Sequence, residues 1–571
     1  MDVTPYLELK PAPVVLFDAA AERADDVRFM VEADGDRFEP VTWREFADLT
    51  AGCALWLTEH GVGRGDFAAI FADNSVQWLA AALGIQSAGA AMVPIYGNST
   101  SDQVHYVLGH SEARVLFVQP GPKAATAAVA LAGLTNPPVV IALPATDGAE
   151  HGFAHTWQTA AVAEIADHHA DPSRLRALLD AIELDDHGVM LYTSGTSGRP
   201  KGVPLTHRNV GVNGRDWLQC NGPLVEERDV DLLWLPFSHI FGFGEACLGN
   251  TLGFVSYLCS PLTVLKHMPT VRPHIFMSVP AYVEKIATLA AGADSSAAGD
   301  DPAAVRAALD VITGGRLRFC LSGGAGLKRE VKDLLYTHGI LVIEGYGLTE
   351  AAPTLTLNRP DAFRFDTVGK PLPSVELRLA DDGEIQARGD NVFAGYHKDP
   401  EATAAAFTDD GWLKTGDLGA LTDDGFVRII GRKKEILVTA GGKNIPPANI
   451  EIRFADDPLV DHVVVYGDGQ RYLVAGVWLN PLVAFSKDLI DASGNVAESG
   501  RAVVQRRIDA VNAELPRYET IKRFVVFPGS LSVDNGLLTP TLKVRRNEVY
   551  KRYGAALDAL YDDRVQPGAR P

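Results

Sequence analysis

Apolar positions in the first quarter of the chain alternate between two periods. TWREFADLTAGCALWLTEHG (42–61) spaces its apolar residues at helical intervals and stops at Gly61. FAAIFADNS (67–75) then reads as a buried strand, VQWLAAALGIQSAGA (76–90) as a helix and ARVLFVQP (113–120) as a short strand. Alternation of this kind from about Val41 to Val118 predicts an α/β architecture with mainly parallel strands. The most apolar stretch, Leu79 to Ile95, is interrupted by Gln86, Gly89 and Pro94, so it is expected as a buried helix then a strand, not a membrane span. Residues 124–185 are Ala-rich and irregular and are expected at the periphery. AAGADSSAAGDD (290–301) reads as a surface loop or mobile connection.

The pattern changes after Gly431. Arg432-Lys433-Lys434-Glu435 is charged, and beyond it the chain reads as a small α+β unit: helix 447–456, strands 462–467 and 472–479, helix 501–514, strand 521–527. A domain boundary at about 431–434 fits this change. A charged surface turn inside one domain fits it too.

Composition narrows the picture. The 571 residues are 47% hydrophobic and 22% charged, enough for two domains and a large core. A net charge of −20 argues against nucleic acid as a partner, although it leaves room for a local basic patch. Cys53, Cys220, Cys247, Cys259 and Cys320 form no C-x-x-C pair and are expected as reduced, buried thiols of a cytosolic protein. The N-terminal MDVTPYLELKPAPVVLF lacks the layout of a signal peptide. His151 and His155 stand four apart with no third ligand nearby, which favours a solvated loop over a zinc site.

Chemistry concentrates in Tyr192 to Gly202, YTSGTSGRPKG. Gly195, Gly198 and Gly202 free the backbone to turn N–H groups inward. Thr193, Ser194, Thr196 and Ser197 add hydroxyls, and Arg199 and Lys201 add positive charge. Such a loop makes a concave anion site suited to a polyphosphate. Pro200 precedes Lys201 and Gly202 follows it, so the loop is not the common nucleotide P-loop. Strand-like flanks, GVMLY before and GVPL after, argue against a flexible linker.

This run resembles the signature loop of the AMP-forming adenylating enzymes, the group of acyl-CoA synthetases, luciferases and adenylation domains. Further segments match in order: LPFSHIFG (235–242), SGGA (322–325), GYGLTE (345–350), TGD (415–417), Gly431-Arg432, VTAGGKN (438–444) and PTLKVR (540–545). The match runs from about 15 to 555. It implies a large N-terminal α/β domain with parallel-rich sheets (1–431), hinged at Lys434 to a small mobile α+β domain (432–571).

The resemblance implies site roles as well. Thr193, Ser194, Gly195, Thr196, Ser197, Gly198 and Lys201 would hold ATP phosphates. Gly324, Tyr346, Gly347 and Thr349 would hold the adenine side, and Asp417 and Arg432 the ribose. Glu350 with Thr196 would hold Mg2+, since a carboxylate beside a triphosphate needs a cation between them. Alone, Glu350 would read as a helix N-terminal acid, Tyr346 as core packing and Asp417 as a turn residue. His239 would gate or contact the substrate; a fatty carboxylate is already ionised and needs no base. Lys543 would neutralise charge developing at the α-phosphate, although an isolated lysine reads as a solvated charge. Gly441 and Gly442 would let the CoA thiol arm pass close to the backbone, or simply make a tight turn.

The implied reaction joins a carboxylate to ATP as acyl-AMP, then transfers the acyl group to CoA. The small domain would rotate to present Lys543 first and the Gly441 turn second. LTLNRPDAFRFDTVGKPLP, GRKKEILVTAGGKNIPPANIE and LLTPTLKVRR resemble the long-chain fatty acyl-CoA synthetases most, with the acyl tunnel expected between His239 and Ser322. FSHIFGFGE departs from that branch after the gate, which keeps a medium-chain or other acid open. A fatty acyl-AMP ligase that loads a carrier protein is a further alternative. The expected location is the cytoplasm; peripheral contact with the inner membrane face and a homodimer stay open.

Overall fold

The computed structural model describes residues 1–33, 37–144, 153–193, 199–292, 302–455, 457–491, 495–539 and 543–562. Two large sheets form the body. The first has seven strands in the order His155–Thr156, Val139–Ala142, Val115–Val118, Phe67–Phe71, Ala91–Pro94, His187–Thr193, Lys201–Thr206. All neighbours are parallel except the last pair, an antiparallel hairpin that sets Thr193 opposite Lys201. The second has nine strands and is parallel through its centre, from Leu341–Gly347 across Phe319–Ser322, Ile275–Ser278, Val230–Leu233 and Val255–Leu258 to Val27–Glu32. Short antiparallel strands close both of its edges.

Helix Val76–Ser87 shows why the two sheets associate. It is apolar nearly all round, and of its 12 residues only Gln77 is not buried. Ser75 caps it by accepting from the Trp78 N–H at 3.0 Å. Trp78 packs 5.4 Å from the Phe237 ring and 6.3 Å from Phe243, both in the segment that follows strand Val230–Leu233 of the second sheet. Burial of a side chain such as Phe237 or Phe243 contributes roughly 1.5–3 kcal/mol. The neighbouring helix Trp43–Glu59 approaches closely: a Cβ at Gly84 would stand 2.8 Å from Cys53.

Residues expected at the periphery divide. Val139–Ala142 and His155–Thr156 do form one edge of the seven-stranded sheet. Trp157, Ala160 and Ala161 instead pack into the core, and the Ala161 carbonyl lies 2.0 Å from where a Cβ at Gly52 would be. An Ala-rich stretch can approach a helix more closely than its weak periodicity suggests. Most of the expected loop at 290–301 lies outside the described residues, as does His151. His155 takes part in the edge strand, and its ring lies 5.4 Å from Trp56.

A third sheet is antiparallel, in the order Glu376–Leu379, Glu384–Arg388, Leu413–Leu421, Val427–Arg432. Beyond it the chain forms a two-stranded ribbon (Leu437–Val438 with Asn444–Ile445) and a sheet of Val460–Tyr466, Leu473–Leu479 and Ile521–Phe527 with its own apolar core. These strands and helix Glu498–Ala513 lie within a few residues of the expected bounds. The expected helix 447–456 is shorter: its α-helical part is Pro447–Glu451, and Ile452–Phe454 tightens to 3-10 geometry. The five cysteines are free, and burial pushes the thiols up, Cys247, Cys259 and Cys320 each to about 12.

Candidate active site

Strand pairing builds one half of the site. Asp417 and Arg432 are register partners in the third sheet, and Arg432 Nε meets Asp417 Oδ1 at 2.9 Å. Tyr346, near the end of strand Leu341–Gly347, donates its hydroxyl to Asp417 Oδ2 at 2.7 Å. Burial raises the Asp417 carboxyl, and the Arg432, Tyr346 and Lys543 partners oppose that rise. The Tyr346 phenol is pushed well above its ordinary value by burial and by Asp417. Asp417, Tyr346 and Arg432, expected to hold a nucleoside, therefore form one connected group with both ring and carboxylate fixed.

Gly347 explains how the chain turns next. A Cβ there would lie 1.8 Å from the Pro353 carbonyl, and Leu348 N–H donates to that carbonyl at 2.8 Å. The turn carries Thr349 and Glu350 on the short 3-10 segment Thr349–Ala351. Asn391, fully buried, holds it by donating to the Ala351 and Thr354 carbonyls, each at 2.9 Å. Glu350 is itself buried and accepts from the Tyr396 hydroxyl at 2.8 Å. The Tyr396 ring also faces Lys201, whose Nζ is 4.6 Å from the centroid. Tyr396 thus links the strand after the phosphate loop to Glu350. Sequence reasoning missed it, because a lone aromatic in a loop carries no chemical signal.

Thr193 ends its strand and Lys201 begins the next. Ser194, Gly195, Thr196, Ser197 and Gly198 lie outside the described residues. Gly324 has φ +87°, which a side chain rarely adopts, and open space where a Cβ would be.

Lys543 reaches this site from the small domain. Its charge acts on Asp417, Arg432 and His239. The surrounding protein mass and the Arg432 charge lower its pKa from the ordinary lysine range, against the pull of Asp417 and Glu435. The residue is still exposed to solvent, so it stands in an open crevice rather than in a sealed core. His239 caps helix Ile240–Leu252, its Nδ1 accepting from Phe241 N–H at 3.2 Å. Burial, then the Lys543 charge, lowers its pKa to about 4. With the pKa lowered and Nδ1 accepting, the ring is neutral at pH 7 and carries its proton on Nε2.

Gly441 and Gly442 lie elsewhere. They form the exposed turn of the ribbon, Gly442 at φ +72° with its N–H donating to Thr439 O at 2.8 Å. Lys434 sits exposed in the link between Arg432 and the ribbon. Its neighbour Lys433 is anchored to the third sheet through Asp382 at 2.5 Å and Glu384 at 2.8 Å.

A largely apolar cavity of about 190 Å³, open at its mouth, runs beside helix Ile240–Leu252. Ile240, Phe243, Leu248, Met277 and Leu321 come from the stretch expected to line an acyl tunnel. That expectation was incomplete. Helix His207–Asn221 adds Val210, Trp217 and Leu218, and the N-terminal segment adds Leu9 and Val15. Much of LGFVSYL is instead core of the nine-stranded sheet: Leu252, Phe254, Ser256 and Leu258 are buried there.

Comparison with known proteins agrees with this geometry. The AMP-binding enzyme family model matches residues 17–397, and the AMP-binding enzyme C-terminal domain model matches 434–565. The chain is 32% identical to the long-chain-fatty-acid–CoA ligase FadD15 of Mycobacterium tuberculosis, over 96% of each chain. Two solved structures share the fold. The anthranilate CoA ligase AuaEII, in complex with anthranoyl-AMP, superposes with a TM-score of 0.73 at 21% identity, over 96% of this chain and 99% of that one. The O-succinylbenzoate coenzyme A synthetase of Bacillus subtilis, in complex with ATP and magnesium ion, gives 0.68 at 21% identity, over 94% and 98%.

Proposed function

The chain belongs to the AMP-binding enzyme family, and we propose that it is an ATP-dependent long-chain fatty acid–CoA ligase. The observation that carries this is the approach of Lys543 to the Asp417–Arg432–His239 group, beside a cavity walled by the helix that His239 caps. Near-full-length similarity to a long-chain-fatty-acid–CoA ligase supports the acyl class.

In the first half a carboxylate oxygen of the fatty acid attacks the α-phosphorus of ATP. The bond to the β-phosphate oxygen breaks and pyrophosphate leaves. Lys543 neutralises charge developing on the α-phosphate oxygens, while Asp417 accepts from the ribose hydroxyls. In the second half the CoA sulfur attacks the acyl carbon, its proton passes to solvent, AMP leaves and the thioester remains. Rotation about Lys434 would bring the Gly441–Gly442 turn toward the acyl carbon for this step.

Glu350 suits Mg2+: it is a hard oxygen ligand linked through Tyr396 to Lys201, and this ion takes one or two carboxylates with substrate phosphates and water. Such an ion would shield phosphate charge from the attacking carboxylate. We also propose a cytoplasmic location with peripheral contact at the inner membrane face, where an amphiphilic substrate is available. Among the described residues no helix is long and apolar enough to cross a membrane.

The test incubates the purified chain with ATP, Mg2+ and palmitate, with and without CoA. The expected result is sustained pyrophosphate release that requires CoA, with acyl-CoA accumulating. A stoichiometric burst of acyl-AMP that CoA cannot discharge would overturn it in favour of an acyl-AMP ligase serving a carrier protein.

A further inference from the structure

The wall of the acyl cavity holds polar groups that a plain hydrocarbon chain does not use. Glu245, on helix Ile240–Leu252, is 2% exposed, and among the described residues neither of its carboxyl oxygens has a hydrogen-bond partner. Gln86, at the buried end of helix Val76–Ser87, is 2% exposed, and its Oε1 is also without a partner. Both side chains line the cavity. Buried polar groups in folded proteins are almost always paired, so two unpaired ones at a cavity wall point to something that arrives there.

The nearby cation is committed elsewhere. Arg28 is fully buried and donates to Asn250 Oδ1 at 2.9 Å, Ser256 Oγ at 2.7 Å, and the carbonyls of Phe254 at 3.2 Å and Ala246 at 3.0 Å. None of these bonds reaches Glu245. Burial, helped by the charge of Asp231, holds the Glu245 carboxyl well above the usual range, which favours its protonated form. It then offers one O–H donor and one acceptor, and Gln86 adds a second acceptor. A hydroxyl, which both donates and accepts, matches this set. An ammonium would have to be carried past apolar walls as a charge, which is far more costly.

Position sets where that hydroxyl lies. Glu245 is six positions beyond His239 on one helix, about 9 Å along its axis at 1.5 Å per residue. The polar spot is therefore well away from the reacting carboxyl end.

We propose that the acyl cavity recognises a fatty acid hydroxylated in mid-chain, with Glu245 and Gln86 as the hydrogen-bonding partners of its hydroxyl. The proposal rests on the ligase reading for the carboxyl end of the substrate. A site built around polar partners discriminates strongly against an analogue lacking the matching group.

The test compares stearate with its 10-hydroxy and 12-hydroxy derivatives on the full chain. One readout is kcat/KM for pyrophosphate release; the other is calorimetric binding of each acid without ATP. The expected result is a preference of about tenfold or more for a hydroxylated acid in both readouts. Glu245→Met should bring that ratio close to one, and Glu245→Gln should retain it. Equal or better use of stearate by the unaltered chain would overturn the proposal, as would a ratio that Glu245→Met leaves unmoved; ordered water would then satisfy the two groups. If no acid releases pyrophosphate, the ligase reading falls, and the binding ratio still decides this inference.

Discussion

Two exposed positions of the small domain, Lys543 and the turn at Gly441–Gly442, have opposite surroundings. Each lies beside a short pairing, the Leu538–Val544 bridge for Lys543 and the strand Leu437–Val438 for the glycine turn. Lys543 faces the large domain, where its charge acts on Asp417, Arg432 and His239. The Gly441 turn faces solvent, Gly442 N–H donating to Thr439 O and Ala440 N–H to the Gln470 carbonyl at 2.9 Å. On the proposed reading this arrangement serves adenylate formation, and thioester formation calls for another.

Four changes would break or sharpen that contrast. The largest effect belongs to Lys543→Ala. A cation about 4 Å from a developing charge is worth roughly 4 kcal/mol at intermediate dielectric, about a thousandfold in the rate of acyl-AMP formation followed by pyrophosphate release. Asp417→Ala comes next. It leaves Tyr346 and Arg432 without their shared acceptor and removes the ribose contact, so kcat/KM for ATP should drop about a hundredfold.

Gly441→Val acts on the opposite turn. The space is open, with the nearest non-neighbour atom 3.9 Å from a Cβ, so folding and adenylation should be kept while thioester formation from supplied acyl-AMP slows about tenfold. Equal slowing of both halves would break the contrast. Tyr396→Phe is the mildest. It removes one hydrogen bond to Glu350, worth about 1 kcal/mol, or roughly fivefold in adenylation.

A pH series separates the two halves without mutation. Lys543 acts as its protonated form, and its pKa is lowered by the surrounding protein mass and Arg432. Adenylation is therefore supported at low pH and lost as pH rises through that lowered value, earlier than for an ordinary lysine. Transfer from supplied acyl-AMP to CoA should not follow the same alkaline limb, which a rate profile of each half measures.

What the sequence disclosed follows from how local each feature is. TGD at 415–417 and Gly431-Arg432 were legible as motifs, but their pairing depends on antiparallel register in the third sheet, which no short window encodes. Tyr396 meets Glu350 across 46 positions and carries no charge, so neither spacing nor composition marks it. The acyl wall was half legible. Helix Ile240–Leu252 announces itself by apolar content, whereas helix His207–Asn221 is rich in Asn and Arg and lines the cavity along one stripe. Glu245 was passed over because an acid in an apolar helix gains meaning only once its burial and lack of partners are known. The small-domain strands were read well since each is a short β-branched run between turn residues.

The most direct test of the division of labour is a single-turnover experiment on Lys543→Ala in two arms. One arm starts from ATP, Mg2+ and palmitate; the other supplies palmitoyl-AMP with CoA. The account predicts that the first arm loses most acyl-AMP formation while the second yields palmitoyl-CoA at close to the unaltered rate. Equal loss in both arms would contradict it.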